Sequence, residues 1–229
     1  MATDRGDEDG VCSTEHAFYC CSVLESQLRG GGAPEPTFPD ASYPLFVTWN
    51  TISPLPGGSP RLRGCIGTFS VTALAQGLAE YALVSALEDS RFMPIQEDEL
   101  PTLECGVSLL TDFEDAPTYL DWTIGIHGIY ITFPNPYQSY SGRSYFRRRA
   151  SERSKLSATY LPDVIPEQGW TKYEAVESAI RKAGWDGDID NELLESIKLR
   201  RYQSRKVAVS WAQYLKWKDR RHPDVADAF

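Results

Sequence analysis

The chain has 229 residues, 41% of them hydrophobic and 12% aromatic, which is ample for a packed core and excludes global disorder. A formal charge of −9 argues against broad attraction to nucleic acid or anionic lipid, and no apolar run approaches the ~20 residues needed to span a bilayer. The five cysteines sit at irregular spacing with no signal-peptide pattern before them, which predicts reduced thiols in an intracellular protein of the nucleus or cytoplasm.

Residues 1–12 read as a disordered acidic start, residues 13–218 as one domain and residues 219–229 as a loose tail. Thr14 to Leu28 reads as a helix, with Ala17, Cys20, Cys21, Leu24 and Leu28 at helical spacing and Gly30-Gly31-Gly32 stopping it. Tyr43 to Trp49 alternates as a strand. The loop Ser53 to Pro60, with three prolines and two glycines, returns the chain antiparallel into Arg61-Leu62-Arg63-Gly64-Cys65-Ile66-Gly67-Thr68-Phe69. Two glycines in so short a strand predict a bulge or a close approach by another backbone or a ligand. Thr72 is placed to cap the next helix, which sets Leu74, Leu78, Tyr81 and Ser85 on one face and ends at Asp89-Ser90-Arg91-Phe92.

An acidic turn at Glu97–Leu100 precedes a strand from Glu104 to Leu110, and an acidic loop, Asp112–Asp115, precedes a strand from Ile124 to Phe133. The segment 134–156 interrupts the pattern as a basic insertion. Thr171-x-x-Glu174 has the spacing of a capping box for a helix ending at Gly184. A short helix at Asn191–Ser196, a strand at Ile197–Val209 and a helical turn or two at Trp211–Lys218 complete the series. The result is an α+β domain in two halves, each with strands around one main helix and neighbours joined by hairpins.

The motifs carry a resemblance. Leu62-Arg63-Gly64-Cys65-Ile66-Gly67, a helix, and Asp89-Ser90-Arg91-Phe92-x-Pro94 are followed in order by Val107–Thr111, Tyr119-Leu-Asp-Trp122, Gly125-Ile-His-Gly-Ile129, Ala158–Pro162 and Arg201-Tyr-Gln-Ser204. This series resembles the AMME chromosomal region protein family, over roughly residues 14–215. The resemblance implies two similar β/α halves sharing one largely antiparallel sheet, with a cleft near the Cys65 strand. Prokaryotic relatives sit with a Memo-like protein and a radical SAM enzyme in AmmeMemoRadiSam systems, and eukaryotic relatives are associated with the nucleus. No reaction is implied. The insertion at Pro134–Leu156 departs from the family pattern, so nothing placed on it is inherited.

Two functional readings follow. In one, the chain is a binding or regulatory protein whose glycine strand shapes a small-ligand cleft lined by Arg63, Gly64, Gly67 and Arg91, and its partner is a protein or a small anion. In the other, an enzyme or enzyme component uses Cys65 as nucleophile or redox centre, with Arg61 and Arg63 lowering the thiol pKa and His127 as base. Asp89 and Arg91 can pair beside the glycine strand. Asp112, Glu114 and Asp115 are generic carboxylates that more often cap turns. No C-x-x-C or H-x-x-H pair is present, so neither a metal nor a cofactor is expected. Arg143 to Lys155 carries six basic residues against one acidic (+6 − 1 = +5), and Arg147-Arg148-Arg149-Ala150-Ser151 reads as a localisation signal or phosphorylation site. The acidic remainder of the chain argues against nucleic acid as its partner.

Overall fold

A computed structural model describes residues 10–32, 34–52, 59–135 and 155–221. The N-terminal residues 1–9, most of the basic insertion (with Arg147, Arg148, Arg149 and Ser151) and the tail 222–229 lie outside the described residues. The fold is α+β: six strands in one sheet of order β2-β1-β3-β6-β4-β5, every described pairing antiparallel, plus helices. The elements are α1 (Thr14–Arg29), β1 (Ser42–Thr51), β2 (Arg61–Ala73), α2 (Leu74–Leu87), a 3-10 helix (Glu97–Thr102), β3 (Leu103–Asp115), β4 (Gly128–Pro134) and β5 (Lys155–Tyr160). They continue with α3 (Val164–Glu167), α4 (Lys172–Lys182), α5 (Asn191–Ser196), β6 (Lys198–Ser210) and α6 (Trp211–Arg221). Among the described residues no helix is long and apolar enough to cross a membrane.

The chain divides into two compact units, residues 1–110 with 205–229, and residues 111–204. In the first, the alternating residues Leu45, Val47 and Trp49 of β1 and Cys105, Val107 and Leu109 of β3 bury one sheet face against α1 and α2. The buried Trp49 indole donates to the Ala82 carbonyl at 3.0 Å, so its one polar atom is satisfied. In the second unit, Ile129, Ile131 and Phe133 of β4 pack with Val176, Ala179 and Ile180 of α4. The capping box of α4 forms as its spacing predicts, with the Thr171 amide donating to Glu174 Oε2 at 2.8 Å and the Glu174 amide to Thr171 Oγ1 at 3.3 Å.

Four boundaries differ from the sequence reading. Thr72 stays in β2 opposite Tyr43, and the N-cap of α2 is Ala73, with the Leu74 amide donating to the Ala41 carbonyl instead. Asp112–Asp115 continue β3 rather than looping, because β6 supplies a partner strand and Asp112 absorbs the turn of the backbone at φ 54°. Ile124–His127 form a turn before β4, held by two donations to the Thr123 carbonyl. β5 begins at Lys155, where composition alone reads as insertion.

Candidate functional site

β2 is an edge strand of the sheet, and its exposed rim is covered by side chains at Cys65. Cys65 faces Thr48 of β1 in register, but its own N–H and C=O point away from β1. The Cys65 amide donates to Asp89 Oδ2 at 2.9 Å, and Arg91 Nη2 donates to the Cys65 carbonyl at 3.0 Å. Asp89 and Arg91 close this clamp themselves, through Nε to Oδ1 at 2.9 Å and Nη2 to Oδ2 at 2.7 Å. The Asp89 carboxyl is only 4% exposed, so it survives as an anion because four donors surround it, the fourth being the Arg91 amide. The Arg91 guanidinium, aided by the Cys65 and Arg91 amides against the cost of burial, holds its pKa far below the ordinary carboxylate range. Register shifts at Trp49/Asn50 and Tyr43/Leu45 bulge the strand on both sides of this point. An unpaired rim that would otherwise template another strand is thus blunted.

The two glycines of the motif have their reason in backbone approach. A Cβ on Gly64 would lie 2.0 Å from the Ser85 carbonyl oxygen of α2, and one on Gly67 would lie 2.2 Å from the Leu45 carbonyl oxygen of β1. Both contacts are with the chain's own main chain.

Arg63 is committed elsewhere. Its Nε and Nη2 take both carboxylate oxygens of Glu99, at 2.8 and 2.9 Å, and its Nη1 donates to the Met93 carbonyl at 2.7 Å. This fork holds the 93–99 segment, and the pairing lowers the Glu99 pKa. Arg91 differs. Its side chain is 54% exposed, and among the described residues its Nη1 has no partner.

The Cys65 sulfur is half-buried and accepts a hydrogen bond from Thr48 Oγ1 at 3.1 Å. The other four cysteines are buried. Cys20 and Cys105 lie in mutual contact, and burial pushes both their thiols well up, out of reach of ordinary ionisation.

His127 belongs to the second unit, Cys65 to the first. Its Nδ1 accepts from the Thr123 amide at 2.9 Å, so the neutral ring carries its proton on Nε2 and has no free acceptor. Burial and the nearby Arg201 cation both lower its pKa, against weaker opposition from Glu114 and Asp121. Gly125 before it takes a left-handed φ of 78°, and Gly128 after it lies against the Tyr202 ring, where a Cβ would meet Cζ at 2.4 Å. The imidazole thus closes its own turn. Of the acidic candidates, Glu114 pairs with Arg201 at 2.7 Å, Asp115 approaches Arg200 at 3.7 Å, and Asp112 accepts from Thr111 at 2.8 Å. Among the described residues no group of histidine, cysteine or carboxylate side chains could hold a metal ion.

Sequence reasoning paired Asp89 with Arg91 but missed Thr48 and Glu99. Thr48 sits opposite Cys65 only through strand register, and Glu99 reaches Arg63 across 36 residues. No short-range spacing signals either.

Set beside known proteins, the chain belongs to the AMMECR1 family, whose model matches residues 17–207. It is 47% identical to an uncharacterised Arabidopsis thaliana protein, over 89% of this chain and 87% of that one. It is 35% identical to an uncharacterised Schizosaccharomyces pombe protein, over 88% and 94%. The fold is similar to the crystal structure of an uncharacterised protein from Pyrococcus horikoshii, with TM-score 0.62 and 24% identity over 84% of this chain and 89% of that chain.

Proposed function

We propose that this chain is an intracellular binding or regulatory protein whose ligand site is the clamped Cys65 segment of β2, and that the ligand is a small anion. The observation carrying the proposal is the clamp. Asp89 and Arg91 fix the Cys65 backbone, leaving a half-exposed guanidinium with an open Nη1 at the rim of a half-buried thiol. A cation held in place by its own carboxylate and still offering donors is a preorganised anion anchor.

Catalysis by Cys65 with His127 as base has less support. A base needs a free acceptor, and the His127 Nδ1 lone pair is already used by Thr123. The hydrogen-bond partner of the thiol is a hydroxyl, which donates to sulfur rather than removing its proton.

Iodoacetamide labelling of the native protein tests both readings. Cys65 should take the label alone, one equivalent per chain, because the other four thiols are buried. His127→Ala should leave that rate within about twofold. Millimolar phosphate, malonate or citrate should slow it, and Arg91→Lys, which keeps a cation for Asp89 but has no second nitrogen to offer, should remove the protection. A tenfold slower reaction in His127→Ala, with no protection by any of the three anions, would replace the binding reading by the catalytic one.

A further inference from the structure

The sheet of the second unit has a helical face and an open one. Alternation along β4, β5 and β6 turns Ile129, Ile131, Phe133, Ala158 and Leu199 into the core with α4. Tyr130, Thr132, Lys155, Ser157, Lys198 and Arg200 therefore share the opposite side. Register sets them in rows: Ser157 beside Thr132 beside Lys198, then Thr159 beside Tyr130 beside Arg200, with Lys155 opposite Pro134 at the end. Lys155, Ser157, Lys198 and Arg200 are exposed.

Charge divides between the two faces. Residues 161–196, which carry α3, α4 and α5, hold nine carboxylates against three cations (+3 − 9 = −6). The open face holds three cations, and the one carboxylate that meets them is Asp115 of β3, 3.7 Å from Arg200. The chain between Pro134 and Lys155 adds five arginines against Glu152, and it leaves and re-enters the sheet at this face's own end. The expectation against nucleic acid rests on the charge of the whole chain, and in this unit the acidity lies on the helices.

The cations are available. Among the described residues Lys155 and Lys198 have no ion pair or hydrogen bond, and the Thr132 and Ser157 hydroxyls between them have no partner. Arg200 is 54% exposed and lies 5.2 Å over the Phe113 ring, and among the described residues its guanidinium makes no hydrogen bond.

We infer that this face binds single-stranded nucleic acid. Its phosphates lie between Lys155 on one side and Lys198 and Arg200 on the other, with the Thr132 and Ser157 hydroxyls donating to them. Three strands spaced ~4.8 Å apart give a face about 10 Å wide, enough for one phosphate chain and too narrow for the two backbones of a duplex. Tyr130 supplies an aromatic ring at the centre of the face. No exposed large hydrophobic side chain of the described residues lies there. A protein partner would want an apolar centre to its interface, and a membrane would want an apolar anchor.

Fluorescence anisotropy of a labelled oligouridylate of about 10 nucleotides, titrated with the full chain from about 50 to 200 mM salt, tests the inference. Affinity should fall with salt at a log–log slope of about −2 or steeper, three contacts contributing about −0.7 each. Lys155→Gln combined with Lys198→Gln should flatten that slope by about 1.4 and weaken binding about tenfold at the lowest salt. Asp115→Asn should tighten binding about twofold. Both lysines are exposed and without partners among the described residues, so the double variant should melt with the parent. A duplex of the same length should bind several-fold more weakly, and so should an oligoglutamate peptide of the same charge. No saturable binding at the lowest salt, an unchanged slope in the double lysine variant, or equal affinity for the duplex or the peptide would overturn the assignment.

Discussion

Gly64→Ala should unfold this protein at a temperature roughly 6–12 °C below the parent, a loss of about 3 kcal/mol or more. The added methyl would sit 2.0 Å from the Ser85 carbonyl oxygen and 3.1 Å from its carbon. Neither atom can rotate away, because both are main chain of α2, whose neighbouring Leu78, Ala82 and Ala86 are core. To admit the methyl, α2 must lift from β2 and give up apolar burial along its length, or β2 must twist off β1. Gly32→Ala is the matched control: nothing lies within 4 Å of its Cβ, so the change should stay within about 0.5 kcal/mol. Thermal unfolding by circular dichroism reads both. A Gly64→Ala melt within 2 °C of the parent would mean that α2 does not press on the strand as described.

The same pair explains what the sequence made legible. Two glycines flanking a strand cysteine announce a close approach by something, and pattern alone leaves open whether that is a ligand or the chain's own backbone. Only the packed helix decides for Gly64, because the distance from residue 64 to residue 85 is a property of the crossing and not of either segment. Elements with strong local signals, such as the Thr171–Glu174 capping box or the alternation of Leu45, Val47 and Trp49, are legible because their causes lie within four residues. The Asp89–Arg91 pair was legible for the same reason. Its role was not, since covering the rim at Cys65 requires knowing that β2 lies at the edge of the sheet.

His127 shows the opposite limit. A histidine between glycines resembles an exposed catalytic base, yet both glycines have steric reasons and the ring closes its own turn through Thr123. The packing of α6 on α1 had no signal at all. The two helices present ordinary amphipathic faces some 190 residues apart, joined by Glu25 accepting from Tyr214, 189 residues on, and from Lys218, 193 residues on. Long-range side-chain pairs of this kind leave no period in the chain.

Asp89→Asn should cost about 2–3 kcal/mol at pH 7, and the loss should shrink as the solution is acidified. The parent carboxylate is nearly excluded from solvent and receives two donors from the Arg91 side chain and two from backbone amides. An amide in its place keeps one acceptor, turns an NH2 toward the guanidinium or the Cys65 N–H, and leaves Arg91 without its counter-charge. Half of Arg91 faces water, which holds the expected cost below that of a fully buried broken pair. The sign of the pH effect follows from the depressed pKa. Above ~3.9, the ordinary value of an unfolded aspartate, both states are ionised and the stabilisation is fully present. Below it the unfolded chain takes up a proton that the folded one refuses, so stability falls with pH. Asparagine has no such proton, and its melting temperature should fall less steeply over the same range. Parallel melts at pH 7, 4 and 3 should therefore show a gap of roughly 5–10 °C that narrows toward the acid end. A gap constant with pH would mean that Asp89 acts by shape alone, and that the clamp on Cys65 does not depend on its charge.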